Sequence, residues 1–279
     1  MSEAAPPRIY CIPATAAPVV AVFRRGPSRW SHVGRWDLAA GRYEPGAWLH
    51  GRIHPRRSDL SPDGRFLCYF AQKAGVTWEH GDTYVAISKL PWLTALHAFG
   101  TCGTWTRGYH FTEDGASDDP APAELPIPYG LRSIRVIQFA NERRRGWEEA
   151  ADSPPRHPED LWDERRNARM QKRQPGGERV LHVESLGRAG GEFGEGQAVD
   201  GLRVGYSLES GGDLEVLDDL QWADWDAGGR LLVATRSGRL EIRELASGAL
   251  DGGYTRVFEE DLSLLEPDPA PAPPWAGRW

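Results

Sequence analysis

Residues 59–70, DLSPDGRFLCYF, contain the pattern that decides the fold. Pro62, Asp63 and Gly64 form a tight-turn signal, because proline presets φ, aspartate bonds back to its own backbone and glycine tolerates a positive φ. The residues after the turn are apolar or aromatic, as in a buried strand. The stretch therefore predicts a turn that leads into a buried β-strand.

The same pattern returns along the chain. Residues 224–235, DWDAGGRLLVAT, are a clear copy, and weaker copies lie at 110–115 and 174–183. With Ser61, Thr112, Gln174 and Asp226 taken as equivalent, the spacings are 51, 62 and 52 residues. Periods of this length are typical of repeat architectures built from small strand units.

The rest of the unit also repeats. Leu231–Thr235 is followed by a turn, the strand Leu240–Leu245 and another turn. Near the N-terminus, Val19–Phe23 and Trp30–Leu38 follow the same order, with Arg8–Ile12 as the opening strand. Counting this first unit gives about five units.

The motifs resemble those of the WD40 and TolB-type β-propeller superfamily. The resemblance rests on Leu60–Arg65 before the second strand of a blade and on Trp36–Gly41, WDLAAG, at the close of a third strand. It implies four-stranded antiparallel blades that bury their faces against one another. We therefore expect an all-β, β-propeller-like protein of about five blades, in one domain over residues 1–265.

Two segments depart from the repeat. Residues 117–173 begin with an acidic, proline-rich loop and continue with charged residues, which predicts an inserted loop or helix. Within it, Leu161–Met170 could form one short helix. Residues 266–279 form a proline-rich tail whose Trp275 and Trp279 should dock on the body or on a partner.

Composition narrows the function classes. The net charge of −7 argues against a nucleic-acid binder, which needs clustered lysine and arginine. Met1–Arg8 has no signal-peptide pattern and no stretch is apolar enough to span a membrane, so we expect a cytoplasmic protein without membrane insertion. Cys11, Cys68 and Cys102 are too dispersed for a disulfide framework or a thiolate zinc site.

The sequence contains no catalytic, phosphate-binding or cofactor motif, so no cofactor and no catalytic residue are predicted. His50 and His54 would share one face if their segment is a single strand, but two ligands alone are insufficient for a metal site. Solvated or internally bonded histidines are the favoured interpretation.

The candidate binding residues are arginines and tryptophans. Arg56 and Arg57 lie beside the turn and could recognise carboxylate or phosphate, although pairing with aspartate between blades is favoured. Exposed tryptophans often anchor protein partners. The full set of candidate binding residues is Arg56, Arg57, Trp105, Trp162, Trp275 and Trp279.

Three functions remain open. The first is a non-enzymatic interaction module that presents loops on a rigid scaffold to another protein. The second is a hydrolase that uses converging carboxylate or histidine groups, for which Asp218–Asp219 and Glu259–Asp261 are possible sources. The third is a sugar or small-molecule binder, since tryptophan faces stack on sugar rings.

Overall fold

The computed structural model describes residues 6–26, 29–73, 75, 81–101, 103, 107–135, 138–153, 168–188, 199–245 and 253–279. Its regular structure is almost entirely β. Contacts divide the chain into two compact units. The N-terminal unit consists of Cys11–Ala140 and Glu266–Trp279, and the C-terminal unit consists of Met1–Tyr10 and Asn141–Leu265. Among the described residues, no helix is long and apolar enough to cross a membrane.

The N-terminal unit contains three sheets whose strands follow one another in chain order. The first sheet consists of Arg8–Pro13 (β1), Val19–Arg25 (β2), Trp30–Asp37 (β3) and Arg42–His50 (β4). The second consists of Arg52–Leu60 (β5), Phe66–Gln72 (β6), Thr83–Lys89 (β7) and His97–Gly100 (β8). The third pairs Tyr109–Thr112 (β9) with Gly130–Ser133 (β10). Contacts assign the first residues of β1, through Tyr10, to the C-terminal unit.

The C-terminal unit contains two further sheets and a short helix, Ala140–Arg144 (α1), at its border. The fourth sheet consists of Glu148–Glu149 (β11), Arg169–Arg173 (β12), Val180–Arg188 (β13), Leu202–Ser210 (β14) and Asp213–Val216 (β15). The fifth consists of Leu220–Trp225 (β16), Leu231–Thr235 (β17), Arg239–Leu245 (β18) and Tyr254–Asp261 (β19). Both sheets keep sequential strand order.

In the larger sheets, some strands are buried along nearly their whole length, whereas the last strand in chain order is largely exposed in the fourth and fifth sheets. Every residue of β16 and β17 is buried, as are all but the last residue of β2 and β6. Strands covered on both faces have no polar alternation, which explains the continuous apolar runs in the sequence. The outer strands β15 and β19 are mostly exposed.

Local hydrogen bonds explain why the turn motif recurs. The Ser61 hydroxyl donates to Asp63 Oδ1 over 2.6 Å and accepts the Phe66 amide N–H over 2.9 Å. In the fifth sheet, Asp226 Oδ1 accepts the amide N–H groups of Gly228 and Arg230, at 2.9 and 2.8 Å. Each turn therefore satisfies its own backbone and directs the chain into the second strand.

The predicted fold class is confirmed, because the protein is nearly all β and propeller-like, with antiparallel sheets of sequential strands. Four sheets have four or more strands among the described residues, against about five predicted blades. The difference arises around Thr112, where β9 pairs with a strand that begins only at Gly130. The turn copy at 110–115 therefore belongs to a two-stranded sheet.

The segment predicted as an insertion contributes strands to the fold. Residues 117–173 include β10, α1, β11 and β12. Arg169 and Met170, placed at the end of a possible helix by the sequence, lie in β12 because Met170 is fully buried opposite Val183 of β13. Ala168 is buried just before β12, and residues 161–167 of that possible helix lie outside the described residues.

The tail packs on the second sheet. The Lys89 ammonium donates to the Trp275 carbonyl oxygen over 3.2 Å, and the Trp279 ring lies 6.3 Å from Phe66 between centroids. Ala276, in the 3₁₀ turn Pro274–Gly277, is fully buried. Docking on the body is thus the arrangement of the tail in this structure.

Candidate interaction cleft

An open cleft of about 270 Å³ lies between the fourth and fifth sheets of the C-terminal unit. Five apolar residues line it: Leu208, Val216, Leu217, Leu231 and Leu245. The charged lining residues are Arg179, Glu215, Asp218, Asp219 and Arg243, and Tyr254 adds an aromatic ring. We call this site the interaction cleft.

The floor of the interaction cleft is apolar because two core strands supply it. Leu231 opens β17, a strand buried along its whole length. Leu208 comes from β14, where buried and half-buried residues alternate. Leu217 follows β15 and donates its amide N–H to the Tyr206 carbonyl oxygen over 2.9 Å, which ties the start of the β15–β16 connection to β14.

Arg243 is the buried cation of the interaction cleft. Its Nε donates to Glu241 Oε2 over 2.7 Å and its Nη2 donates to Asp219 Oδ2 over 2.8 Å. The guanidinium lies 4.4 Å from the centre of the Tyr254 ring. Desolvation opposes the charge, but the hydrogen bonds that Arg243 donates to Asp219 and Glu241 outweigh it and raise the pKa of Arg243.

The same carboxylate joins a second arginine. Glu241 is buried, and its Oε1 lies 3.3 Å from Arg256 Nε of the outer strand β19. Buried charges persist only when they are paired and hydrogen-bonded, and this cluster meets that condition. Arg243 and Asp219 therefore line the cleft as a hydrogen-bonded pair beside the apolar floor, and Glu241 also binds Arg243.

The rim of the interaction cleft carries exposed apolar groups. Val216 on β15 is 63% exposed and Tyr254 on β19 is 38% exposed. Leu214 and Val257, on the same two strands, are also exposed. Exposed apolar side chains that line a concave site together with charged groups, as Val216 and Tyr254 do here, are typical of recognition surfaces.

Comparisons of the chain with protein-family models, with curated proteins and with solved structures each gave no significant match. Membership of the WD40 and TolB-type superfamily therefore stays a prediction.

Of the predicted arginines, Arg56 is buried. It is 3% exposed, and its guanidinium lies 5.9 Å from the centre of the Phe139 ring. Arg57 is half-buried, 5.7 Å from the Phe70 ring. Neither lines the interaction cleft. The neighbouring Asp59 instead bridges two sheets, because its Oδ2 accepts the Phe111 amide N–H over 2.9 Å.

The two histidines lie on different sheets. His50 ends β4 and contacts Trp30, whereas His54 lies in β5, buried against Phe70 with 5.0 Å between ring centres. The condition that they lie on a single strand is not met, because the chain passes from one sheet to the next at Gly51. Among the described residues, no group of three or more potential metal ligands occurs.

The predicted tryptophans divide into two pairs. Trp105 and Trp162 lie outside the described residues, as does Cys102. Trp275 and Trp279 lie together on the second sheet, 48% and 41% exposed.

Cys11 and Cys68 are buried free thiols, and burial raises the pKa of each.

Sequence reasoning missed most of the interaction cleft. It singled out Asp218–Asp219 only as a carboxylate run, and it assigned Leu240–Leu245 to a strand without a role for Arg243. A signal was present, since Glu241 and Arg243 alternate with Leu240 and Ile242 in that strand. Such alternation is ordinarily taken as a solvated face, whereas here both faces are buried.

Proposed function

We propose that this protein is a non-enzymatic interaction module that binds another protein at the interaction cleft. The observation that carries the proposal is the open apolar floor, flanked by the exposed side chains of Val216 and Tyr254 on two outer strands. A propeller-like fold is compatible with this role, because its sheets hold such a site rigid before a partner arrives.

The two carboxylates that bind Arg243 are better suited to holding the interaction cleft in shape than to catalysis. Asp219 and Glu241, the carboxylates closest to Arg243, are held by its guanidinium. A general acid or base must reach the proton that it transfers, and these groups already accept from arginine. The net charge of −7 supports a protein partner over nucleic acid. A cytoplasmic location remains part of the proposal.

Site-specific photo-crosslinking tests the proposal. A photoreactive phenylalanine analogue replaces Val216 or Tyr254 in cells of the native host, and Leu264 is the control position. Leu264 is 83% exposed but lies away from the cleft lining. We expect one discrete protein adduct from both cleft positions and none from Leu264. The absence of adducts at both cleft positions, or equal adducts at all three, would overturn the proposed function.

A further inference from the structure

We propose that the group that enters the interaction cleft is an arginine or lysine side chain on an extended segment of the partner. The inference rests on the proposed function and specifies the chemistry of the partner. Three features support it. Some charged side chains of the cleft are already paired with one another and others are not, the floor is apolar, and the cavity is small.

The charges of the interaction cleft favour a cation. Arg243 is neutralised by Asp219 and Glu241, and Arg179 has interactions of its own. In the part of the chain that the structure describes, no hydrogen bond or ion pair reaches the side-chain carboxylate of Glu215 or Asp218. Arg236 Nε donates to the backbone carbonyl oxygen of Asp218 over 2.7 Å, so its hydrogen bond engages the main chain and not the carboxylate. Within the described residues, the lining therefore presents two carboxylates that accept no hydrogen bond from a cation, beside arginines that are already engaged.

The floor of the interaction cleft fits the stem of a basic side chain. Lysine and arginine pack their methylene chains on apolar surface while the charged end stays near polar groups. Leu208 and Leu231 offer that surface, and Glu215 and Asp218 lie on the same lining. A purely apolar side chain would leave the carboxylates unused, and an acidic one would be repelled by them.

The volume of the interaction cleft is compatible with one inserted side chain. Small-molecule and cofactor pockets range from about 300 to 1,000 Å³. The interaction cleft, at about 270 Å³, lies just below that range. An extended segment can still add contacts outside it, because β15 and β19 are outer strands of their sheets.

Selection of displayed peptides tests the inference on the full chain. A library of random heptapeptides is panned against the protein, and the selected peptides are then measured by fluorescence anisotropy. The first variant, Leu208→Glu, places a charge in the floor and identifies the peptides that need the cleft. Its folding is checked by thermal unfolding, and Tyr254→Ala on the rim replaces it if it fails to fold.

The second variant, Glu215→Gln with Asp218→Asn, removes only charge. Its matched control is Glu266→Gln with Asp268→Asn, which makes the same charge change in the tail. We expect cleft-dependent peptides to share one arginine or lysine beside apolar residues. The cleft charge variant should weaken their binding about tenfold, and the tail control should not.

The outcomes separate the inference from the proposed function. Cleft-dependent peptides that lack a shared basic residue, or that bind the charge variant as well as the wild type, would overturn the inference and leave the function standing. If no selected peptide depends on the cleft, the peptide result contradicts both. If the crosslinking experiment nevertheless gave adducts at the cleft positions, the proposed function would stand and only the inference about a basic side chain would be wrong.

Discussion

His32 makes the stability of the protein depend on pH in a predictable direction. The imidazole is buried in β3, with 4.5 Å between its ring centre and that of Trp48. Its Nε2 lies 3.3 Å from the Gly46 amide nitrogen, which donates. A backbone N–H can only donate, so Nε2 must accept and the ring proton lies on Nδ1, 3.3 Å from the Tyr43 hydroxyl.

Burial holds His32 in its neutral form. Desolvation, followed by the nearby charge of Arg24, lowers the pKa of His32 from 6.5 to about 4. Between these values the unfolded chain binds a proton that the folded protein does not, so stability falls as the pH falls. The stabilisation from neutral His32 is complete above pH 6.5 and is lost progressively down to about pH 4.

The expected size follows from the two pKa values. Lowering the pH from 7 to 5 should cost the wild type about 2 kcal/mol of unfolding free energy through His32 alone. His32→Phe keeps a ring against Trp48 but cannot be protonated. Its stability deficit relative to the wild type should therefore shrink by about 2 kcal/mol over the same pH change.

Urea unfolding followed by tryptophan fluorescence at pH 7 and pH 5 measures this difference. Comparing variant with wild type at each pH cancels the titration of other groups. His50→Phe, at the exposed end of β4, controls for the general effect of replacing a histidine with phenylalanine. A deficit for His32→Phe that is the same at both pH values would refute the assignment of a buried, neutral imidazole.

Three further predictions concern stability. Arg243→Met should lower the free energy of unfolding by about 3 kcal/mol, because it leaves Glu241 buried without its closest cation, and adding Glu241→Leu should restore most of the loss. Ser61→Ala should cost about 1 kcal/mol, because the Phe66 amide loses its acceptor. Urea unfolding measures the stability of the Arg243 and Ser61 variants. Ala276→Glu should detach the tail, because a charge cannot occupy that fully buried position, and limited proteolysis should then cleave the tail faster.

Each of these predictions has a result that would contradict it. If the double variant Arg243→Met with Glu241→Leu were no more stable than Arg243→Met alone, the unpaired Glu241 carboxylate would not be the cause of the lost stability. If Ser61→Ala were as stable as the wild type, the hydrogen bonds of the Ser61 hydroxyl would not stabilise the fold. Unchanged cleavage in Ala276→Glu, with Arg278→Glu as the exposed control, would show that Ala276 does not anchor the tail.

The strand-turn-strand units could be predicted because the forces that form them are local. Ser61 and Asp226 bond to backbone groups within five residues, so the turn is encoded in the residues that make it. The apolar runs Val19–Phe23 and Leu231–Thr235 indicated strands buried on both faces, and they became β2 and β17. The strands of these repeated units, and their order, therefore followed from the sequence alone.

Tertiary structure determines the interaction cleft, and it determines which polar residues are buried and what they contact. A strand pattern does not reveal which residues of another sheet cover its second face, so the sequence did not indicate that Glu241 and Arg243 are both buried. His50 and His54 looked like one strand face until the chain changed sheets between them. The cleft unites Leu208, Asp219 and Arg243 from separate strands and turns, and only packing of the fourth sheet against the fifth brings such distant residues together.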